Sequence, residues 1–187
     1  MKSIASAFVI ASALVVCTCF ATTARGGEAG DAELLKRLTE SKHSLVDGIK
    51  QAEKGNGPAI SAKFEVEDGK LWLSVYTAKQ GREKDAEHNV LMELKGEPDG
   101  AEWQPKTEVF QDKEHIARSA MQLTLLQLSK LSLEDVVKKA TAGQKGTVFS
   151  AIPAVNNGKP VVVVGIANPD GTRTNVLFDL QTGKSTK

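Results

Sequence analysis

Cysteine is scarce in this chain of 187 residues, and both copies, Cys17 and Cys19, lie near its N-terminus. If that segment is removed on export, no thiol remains, which excludes disulfides, thiolate metal sites and cysteine nucleophiles. An excess of charge is also lacking, because 24 basic and 23 acidic residues give a net charge of +1. Nucleic acids and anionic membranes are bound through a basic excess, so we expect neither as the main partner.

The N-terminus has the three parts of a secretory signal peptide. Lys2 is followed by an uncharged apolar stretch over 4–20 and then by small residues over 21–24. No basic cluster follows, which disfavours a retained membrane helix. Val16 and Thr18, which precede the two cysteines, do not fit a lipoprotein leader. We expect cleavage of 1–24, export to the periplasm or the medium, and no stable membrane insertion.

The rest of the chain contains an internal duplication. The segment 44–55 reappears as 132–143 with a shift of 88 positions (132 − 44), and after one insertion Ala62 corresponds to Ala151. A repeat of this length is typical of a duplicated structural unit. The sequence therefore predicts a first repeat with its connector over 31–112 and a second repeat over 113–187.

Each repeat begins with a helical pattern, in which apolar residues recur at steps of three and four. Ser44 with Asp47, and Ser132 with Asp135, have the spacing of a capping box, which predicts two short helices or one kinked helix per repeat. Gly143 is the expected stop of the second helical segment. The predicted apolar positions are Leu34, Leu35, Leu38, Leu45, Ile49 and Ala52 in the first repeat, and Met121, Leu125 and Leu128 in the second.

Each repeat then changes to the alternation of a β-hairpin. Asp68-Gly69 and Asn157-Gly158 predict tight two-residue turns, which set Val66 opposite Leu71 and Val155 opposite Pro160. Third strands are expected over 89–94 and 172–180, and an edge strand over 107–111. The predicted fold class is α+β, with the helices of each tandem repeat on one face of an antiparallel meander of three to four strands.

The two repeats differ between their second and third strands. The first carries a polar, charged loop over 79–88, whereas the second has the short turn signal Asn168-Pro169-Asp170-Gly171. The longer loop is a candidate contact element, or a solvated connector.

The second repeat resembles the PepSY domain over 133–184. Its last strand ends Phe178-Asp179-Leu180-Gln181-Thr182-Gly183-Lys184, and that family typically closes on an Asp followed by Thr-Gly. The resemblance is weaker over 45–96, where the Thr is lost. It implies an exported domain that binds or restrains other proteins, peptidases among them. Tandem units of this kind also look like the fold of the β-lactamase inhibitor proteins, although no inhibitory residue can be matched.

No catalytic set emerges from the motifs. His43, His88 and His115 lack the spacing of a helical metal pair, and no serine lies in Gly-x-Ser-x-Gly. Gly143-Gln144-Lys145-Gly146-Thr147 lacks the order of a phosphate-binding loop. We therefore expect no enzyme, metal or cofactor.

The remaining candidate site is the sheet face turned away from the helices. Strand alternation puts Trp72, Tyr76, Lys63, Glu65 and Leu91 on this face in the first repeat, and large aromatics are typical of binding hot spots. The corresponding positions of the second repeat are strongly apolar: Ile152, Ala154, Val161, Val163 and Leu177. Either the two sheets cover each other or join edge to edge, which makes Trp72 a core residue, or these faces form a groove for a partner.

Three functional hypotheses follow. The leading one is an exported, non-enzymatic module that binds or inhibits another exported protein or peptide. The alternative is a carrier that holds a small hydrophobic ligand against or between the sheets. A third is a hydrolase or metal-dependent enzyme whose site is assembled from residues distant in the sequence.

Overall fold

The computed structural model describes residues 28–142 and 145–186. Its first half contains α1 (Glu28–Leu38), α2 (Leu45–Asn56), β1 (Ala59–Glu67), β2 (Lys70–Ala78), a 3-10 helix (Ala86–His88), β3 (Leu91–Gly96) and β4 (Lys106–Val109). Its second half contains α3 (Lys113–Gln127), α4 (Leu133–Thr141), β5 (Thr147–Asn156), β6 (Lys159–Ala167), β7 (Arg173–Asp179) and β8 (Ser185–Thr186). The predicted order of elements is thus the same in both halves.

The second helix of each half begins at the predicted capping box. Ser44 Oγ accepts the backbone N–H of Asp47 at 3.1 Å, and the Asp47 carboxylate accepts the backbone N–H of Ser44 at 3.0 Å. Ser132 and Asp135 repeat both bonds at 3.0 Å. These reciprocal bonds satisfy backbone donors that a helix start leaves without partners. Each half therefore has two separate helices; the expected stop at Gly143 lies outside the described residues.

The two hairpins have the predicted register. Asp68 and Gly69 have φ values of 50° and 72°, and Asn157 and Gly158 have 49° and 76°. Positive φ at both central residues is the geometry of the two-residue turn that matches the twist of β-strands. Val66 consequently lies opposite Leu71, and Val155 opposite Pro160.

The strands form one continuous antiparallel sheet in the order β4-β3-β2-β1-β5-β6-β7-β8. The halves join edge to edge, because β1 pairs with β5 and Ala62 lies opposite Ala151. These two residues are equivalent in the duplication, so an approximate twofold axis runs through this pair, perpendicular to the sheet. Two sheets that cover each other are therefore ruled out as the arrangement.

The helices cover one face of this sheet, which we call the inner face. Gly48 of α2 lies so close to Leu73 of β2 that an added Cβ would come within 2.5 Å of the leucine Cδ2. Leu73, Val75, Val162 and Val164 share this face and are fully buried. The fold is α+β, as predicted, with buried residues of all four helices joining a single hydrophobic core. Within 28–142 and 145–186, no helix is long and apolar enough to cross a membrane.

The predicted apolar stripe on α3 was wrong in two of its three members. Met121 is 46% exposed and Leu128 is 54% exposed, while Leu125 is buried. The buried side of α3 instead carries Ser119, Gln122, Leu123 and Leu126. Two polar residues interrupt this side, so the hydrophobic pattern of the sequence pointed to another side of the helix.

The third strand of the first half starts two residues later than predicted, at Leu91. The Asn89 side chain is hydrogen-bonded to the preceding loop. Its Nδ2 donates to the Gly81 carbonyl at 2.8 Å, and its Oδ1 accepts the Gln80 N–H at 3.0 Å. This use of the side chain explains the later start. The edge strand expected over 107–111 is present as β4.

Candidate functional site

The outer face of the sheet is the face opposite Leu73, and strand register puts the five predicted residues on it. Trp72 lies opposite Glu65, and Ser74 lies opposite Lys63. Tyr76 and Leu91 follow the same alternation on β2 and β3. The placement of Trp72, Tyr76, Lys63, Glu65 and Leu91 on one face is therefore confirmed.

Trp72 lies beside a network of charged side chains. Lys95 Nζ is 5.4 Å from the centre of the Trp72 ring, close enough for a cation–π contact. The same ammonium group lies 2.6 Å from a Glu67 oxygen and 3.4 Å from a Glu65 oxygen. Lys63 forms an ion pair with Glu65 as well. Lys95 was missed by the sequence analysis, although its alternation with Leu94 places it on the outer face.

The charges of this network stabilise one another. Burial raises the pKa of the Glu65 carboxyl, but the Lys63 and Lys95 ammonium groups and the Ser74 hydroxyl outweigh it, so that the pKa lies below its ordinary value. Burial lowers the pKa of Lys95, yet its bond to Glu67 and the charge of Glu65 raise the pKa overall. Both groups remain charged at neutral pH. The network is thus an arrangement of paired charges.

Tyr76 and Leu91, in contrast, are not accessible, and their proposed role as exposed contacts was wrong. Both are 5% exposed. Phe110 follows β4, donates its backbone N–H to the Leu91 carbonyl at 3.1 Å, and meets the Tyr76 ring edge-on at 5.0 Å. His115 then stacks on Phe110, also at 5.0 Å. The sequence held a signal for this cover, since Phe110 continues the alternation of β4 onto the outer face.

The second half of the outer face is apolar and partly exposed. Ile152 lies opposite Val163, which lies opposite Leu177, so that three large apolar side chains form a row across β5, β6 and β7. All three are partly exposed, as is Ala154, whereas Val161 is buried. The chain itself covers these four positions only in part. That something else covers the face therefore stays a prediction.

A bulge in β5 adds an aromatic residue that the sequence analysis did not place on this face. The register of β5 shifts between Val148 and Ser150, and the buried Phe149 ring lies against Gly165 of the neighbouring strand. The Arg173 guanidinium carbon is 4.4 Å from the centre of that ring. A larger residue at 165 would collide with Phe149, so the glycine is required by packing.

The histidines occupy three unrelated local settings. His43 Nε2 contacts the Gly100 carbonyl at 3.0 Å, and His115 Nδ1 lies 2.7 Å from an Asp112 oxygen. His88, with Asp85 and Glu87, brings ligand atoms within 4.8 Å of one another, and all three residues are exposed. The Asp85 carboxylate already caps the 3-10 helix, so this acidic turn has a structural role and we assign no metal to it.

The loop over 79–88 is a connector that is mostly exposed to solvent, as one of the two interpretations predicted, and it is also anchored to the other repeat. Arg82 donates to the carbonyl oxygens of Ser129 and Leu131, the latter at 2.6 Å, and Gln127 donates to the Arg82 and Lys84 carbonyls at 2.7 and 3.0 Å. The loop of the first repeat is thus bound to the helical corner of the second.

Comparison with known proteins adds little to this description. No family model and no curated protein sequence matches the chain. A solved chain described as a "putative lipoprotein" from Clostridium difficile 630 is similar at 17% identity with a TM-score of 0.38, and the match covers 79% of this chain and 92% of that one. A likeness at this TM-score carries no argument about function. The PepSY resemblance therefore stays a prediction.

Proposed function

We propose that the chain is an exported, non-enzymatic module that binds or inhibits another exported protein through the outer face of its sheet. One observation carries the proposal. The outer face keeps a partly exposed row of Ile152, Val163 and Leu177 on the same side of the sheet as the partly exposed Trp72. Apolar surface of this kind on a folded chain is typical of a protein interface.

The face is comparable in size to one side of a specific complex. The central strands β1, β2, β5 and β6 have nine or ten residues and are about 30 Å long, whereas β3, β4, β7 and β8 are shorter. At about 3.3 Å by 4.8 Å per residue the sheet spans roughly 900 Å², part of it covered by Phe110, and a standard complex buries about 800 Å² on each partner.

The face has an apolar half on β5, β6 and β7 and a more polar half around Trp72, and this division fits a protein interface. Trp72 offers a large ring with a polar N–H, which is typical of residues that contribute most to binding. Lys63 and Lys95 are paired with Glu65 and Glu67, so that two positive and two negative charges balance in the network. A partner is then selected mainly by shape and apolar contact rather than by net charge.

Export and partner class are supported by the sequence. The leader over 1–24 directs the chain out of the cytoplasm, and the PepSY resemblance implies partners that include peptidases. The non-enzymatic part of the proposal rests on the lack of a catalytic motif in the sequence and on the paired state of the charges around Trp72.

The experiment is affinity capture from the exported fraction with matched variants. Ile152→Glu puts a charge into the apolar row, whereas Val155→Glu puts the same charge on β5 at a site that is 58% exposed and lies on the opposite side of the strand. We expect the same protein to be captured by the wild type and by Val155→Glu, and to be lost with Ile152→Glu and with Trp72→Thr.

Two results would count against the proposal. A protein captured equally by all four chains binds elsewhere, which rejects the outer face as the docking surface. A small apolar molecule found on the wild type by native mass spectrometry, with no protein, favours the carrier instead. Such a ligand would lie against the outer face, since the strands of 28–142 and 145–186 form one continuous sheet.

A further inference from the structure

The two halves of the molecule leave different amounts of space at equivalent corners. Residues 79–90 connect β2 to β3, whereas the shorter 168–172 connects β6 to β7. The starts of the two connections are equivalent in the duplication, because Ala78 corresponds to Ala167 by the shift of 89 positions that relates Ala62 to Ala151 (151 − 62).

In the first half, the long connection is bound at its corner by hydrogen bonds. Gln127, at the end of α3, holds the backbone of 82–84 through two carbonyl oxygens, and Arg82 holds the turn after α3 through two more. A stretch of polypeptide is therefore bound at the C-terminal end of α3 by hydrogen bonds to its backbone and by one cationic side chain.

The end of α1 forms the same corner. Ser129 Oγ accepts the Leu131 N–H at 3.0 Å, and Ser41 Oγ accepts the His43 N–H at 3.2 Å. Ser129 and Leu131 lie 88 positions after Ser41 and His43 (129 − 41 and 131 − 43), so the same turn is present in both halves. The turn itself contacts the carbonyl oxygens of Pro98 and Gly100 through the Lys42 N–H and the His43 ring. Beside it, the short connection lies across a cleft from the last turn of α1.

The space left by the short connection is an open cleft of about 490 Å³ between α1 and the end of β6. Leu35 and Leu38 on one side, and Ala167 and Pro169 on the other, make much of its lining apolar. Its charged lining residues are Lys36 and Lys145, and none of the lining side chains that the structure describes is a carboxylate. Across the described residues, neither lysine takes part in an ion pair.

We propose that this cleft binds an acidic peptide segment of a partner protein, in the position that 79–90 occupies in the other half. The segment places apolar side chains against Leu35 and Leu38, and its carboxylates pair with Lys36 and Lys145. The equivalence of the corners argues for polypeptide as the occupant, and the two lysines argue for its negative charge. The site is distinct from the row of Ile152, Val163 and Leu177 and does not depend on the function proposed for it.

The test uses the exported chain and two synthetic peptides of equal length and equal apolar content, one carrying glutamates where the other carries lysines. Binding is measured by fluorescence anisotropy. Two exposed charge pairs together contribute about tenfold in affinity, so we expect the acidic peptide to bind the wild type about tenfold more tightly than the basic one. The Lys36→Glu, Lys145→Glu double variant should reverse this preference, whereas Lys159→Glu, at the start of β6, should leave it unchanged.

A loop graft tests the equivalence of the corners separately. Replacing 168–171 with the sequence of 79–88 should fill the cleft and abolish peptide binding. If the graft does not fold, the result with the lysine double variant decides. The proposal is overturned if the wild type does not prefer the acidic peptide, or if the double variant and a folded graft bind it as the wild type does.

Discussion

Tyr76 and Trp72 provide a sharp test of how the outer face is built. They lie four residues apart on β2 with their side chains on the same face, yet Tyr76 is buried under Phe110 and Trp72 is partly exposed beside Lys95. Replacing each with threonine keeps a residue that favours β-strands, so the two variants differ mainly in the burial of the ring that is removed.

The structure predicts unequal losses of stability. Removing a buried aromatic side chain costs about 3–5 kcal/mol, and we expect about 3 kcal/mol for Tyr76→Thr because water can enter the space from the outer face. Trp72→Thr loses partial burial and an exposed cation–π contact, together about 1 kcal/mol. The difference of about 2 kcal/mol corresponds to roughly 4–8 °C in the melting temperature of a domain of this size.

The assay is urea unfolding followed by far-ultraviolet circular dichroism, which reports mainly on the backbone. Equal urea dependence of the unfolding free energy in the wild type and both variants would show that the unfolded states are comparable. If Trp72→Thr destabilises the chain as much as Tyr76→Thr does, Trp72 is a core residue and the outer face is closed. That result would refute the accessibility on which the proposed docking surface depends.

Two further predictions concern a buried hydroxyl and the contact between the repeats. Burial, with the charges of Glu93 and Glu65, raises the pKa of Tyr76, the single tyrosine of the chain, so its tyrosinate absorbance should appear at higher pH in the folded chain than in urea. Because the folded pKa of Tyr76 is raised, its contribution to stability is complete below the ordinary pKa of 10.0 and is lost as the pH rises above that value. Tyr76→Phe should lack this alkaline loss of stability. Equal titration midpoints in the folded chain and in urea would contradict the burial of the hydroxyl. Arg82→Ala removes two hydrogen bonds to carbonyl oxygens and should cost about 1.5–3 kcal/mol in urea unfolding, against less than about 0.5 kcal/mol for the exposed Lys84→Ala in the same loop. Similar losses in both would mean that the loop is not held by Arg82.

Local chemistry made much of the fold predictable. Asp68-Gly69 and Asn157-Gly158 fix the hairpin register, because few residue pairs adopt positive φ at both turn positions. Ser44 and Ser132 fix the helix starts, because each satisfies backbone donors within its own first turn. The side of α3 that is buried was not predictable in this way, since Ser119 and Gln122 are buried there by tertiary packing.

The candidate site shows the same division. Alternation along β1, β2 and β3 was sufficient to place Trp72, Tyr76, Lys63, Glu65 and Leu91 on one face, because successive strand residues point to opposite sides. Which of them reach solvent depends on Phe110, which comes from an edge strand and covers Tyr76. The joining of β1 to β5, which makes one sheet of two repeats, likewise depends on contacts between distant segments.

By itself, then, the sequence determined the duplication, the caps, the turns and the face of each strand residue, because these depend on neighbours within a few positions along the chain. Only the tertiary structure decided that the repeats share one sheet, that Tyr76 is buried while Trp72 is partly exposed, and that the shorter connection 168–172 leaves a cleft beside α1. Each of these depends on residues that are far apart in the chain and are brought together only by packing.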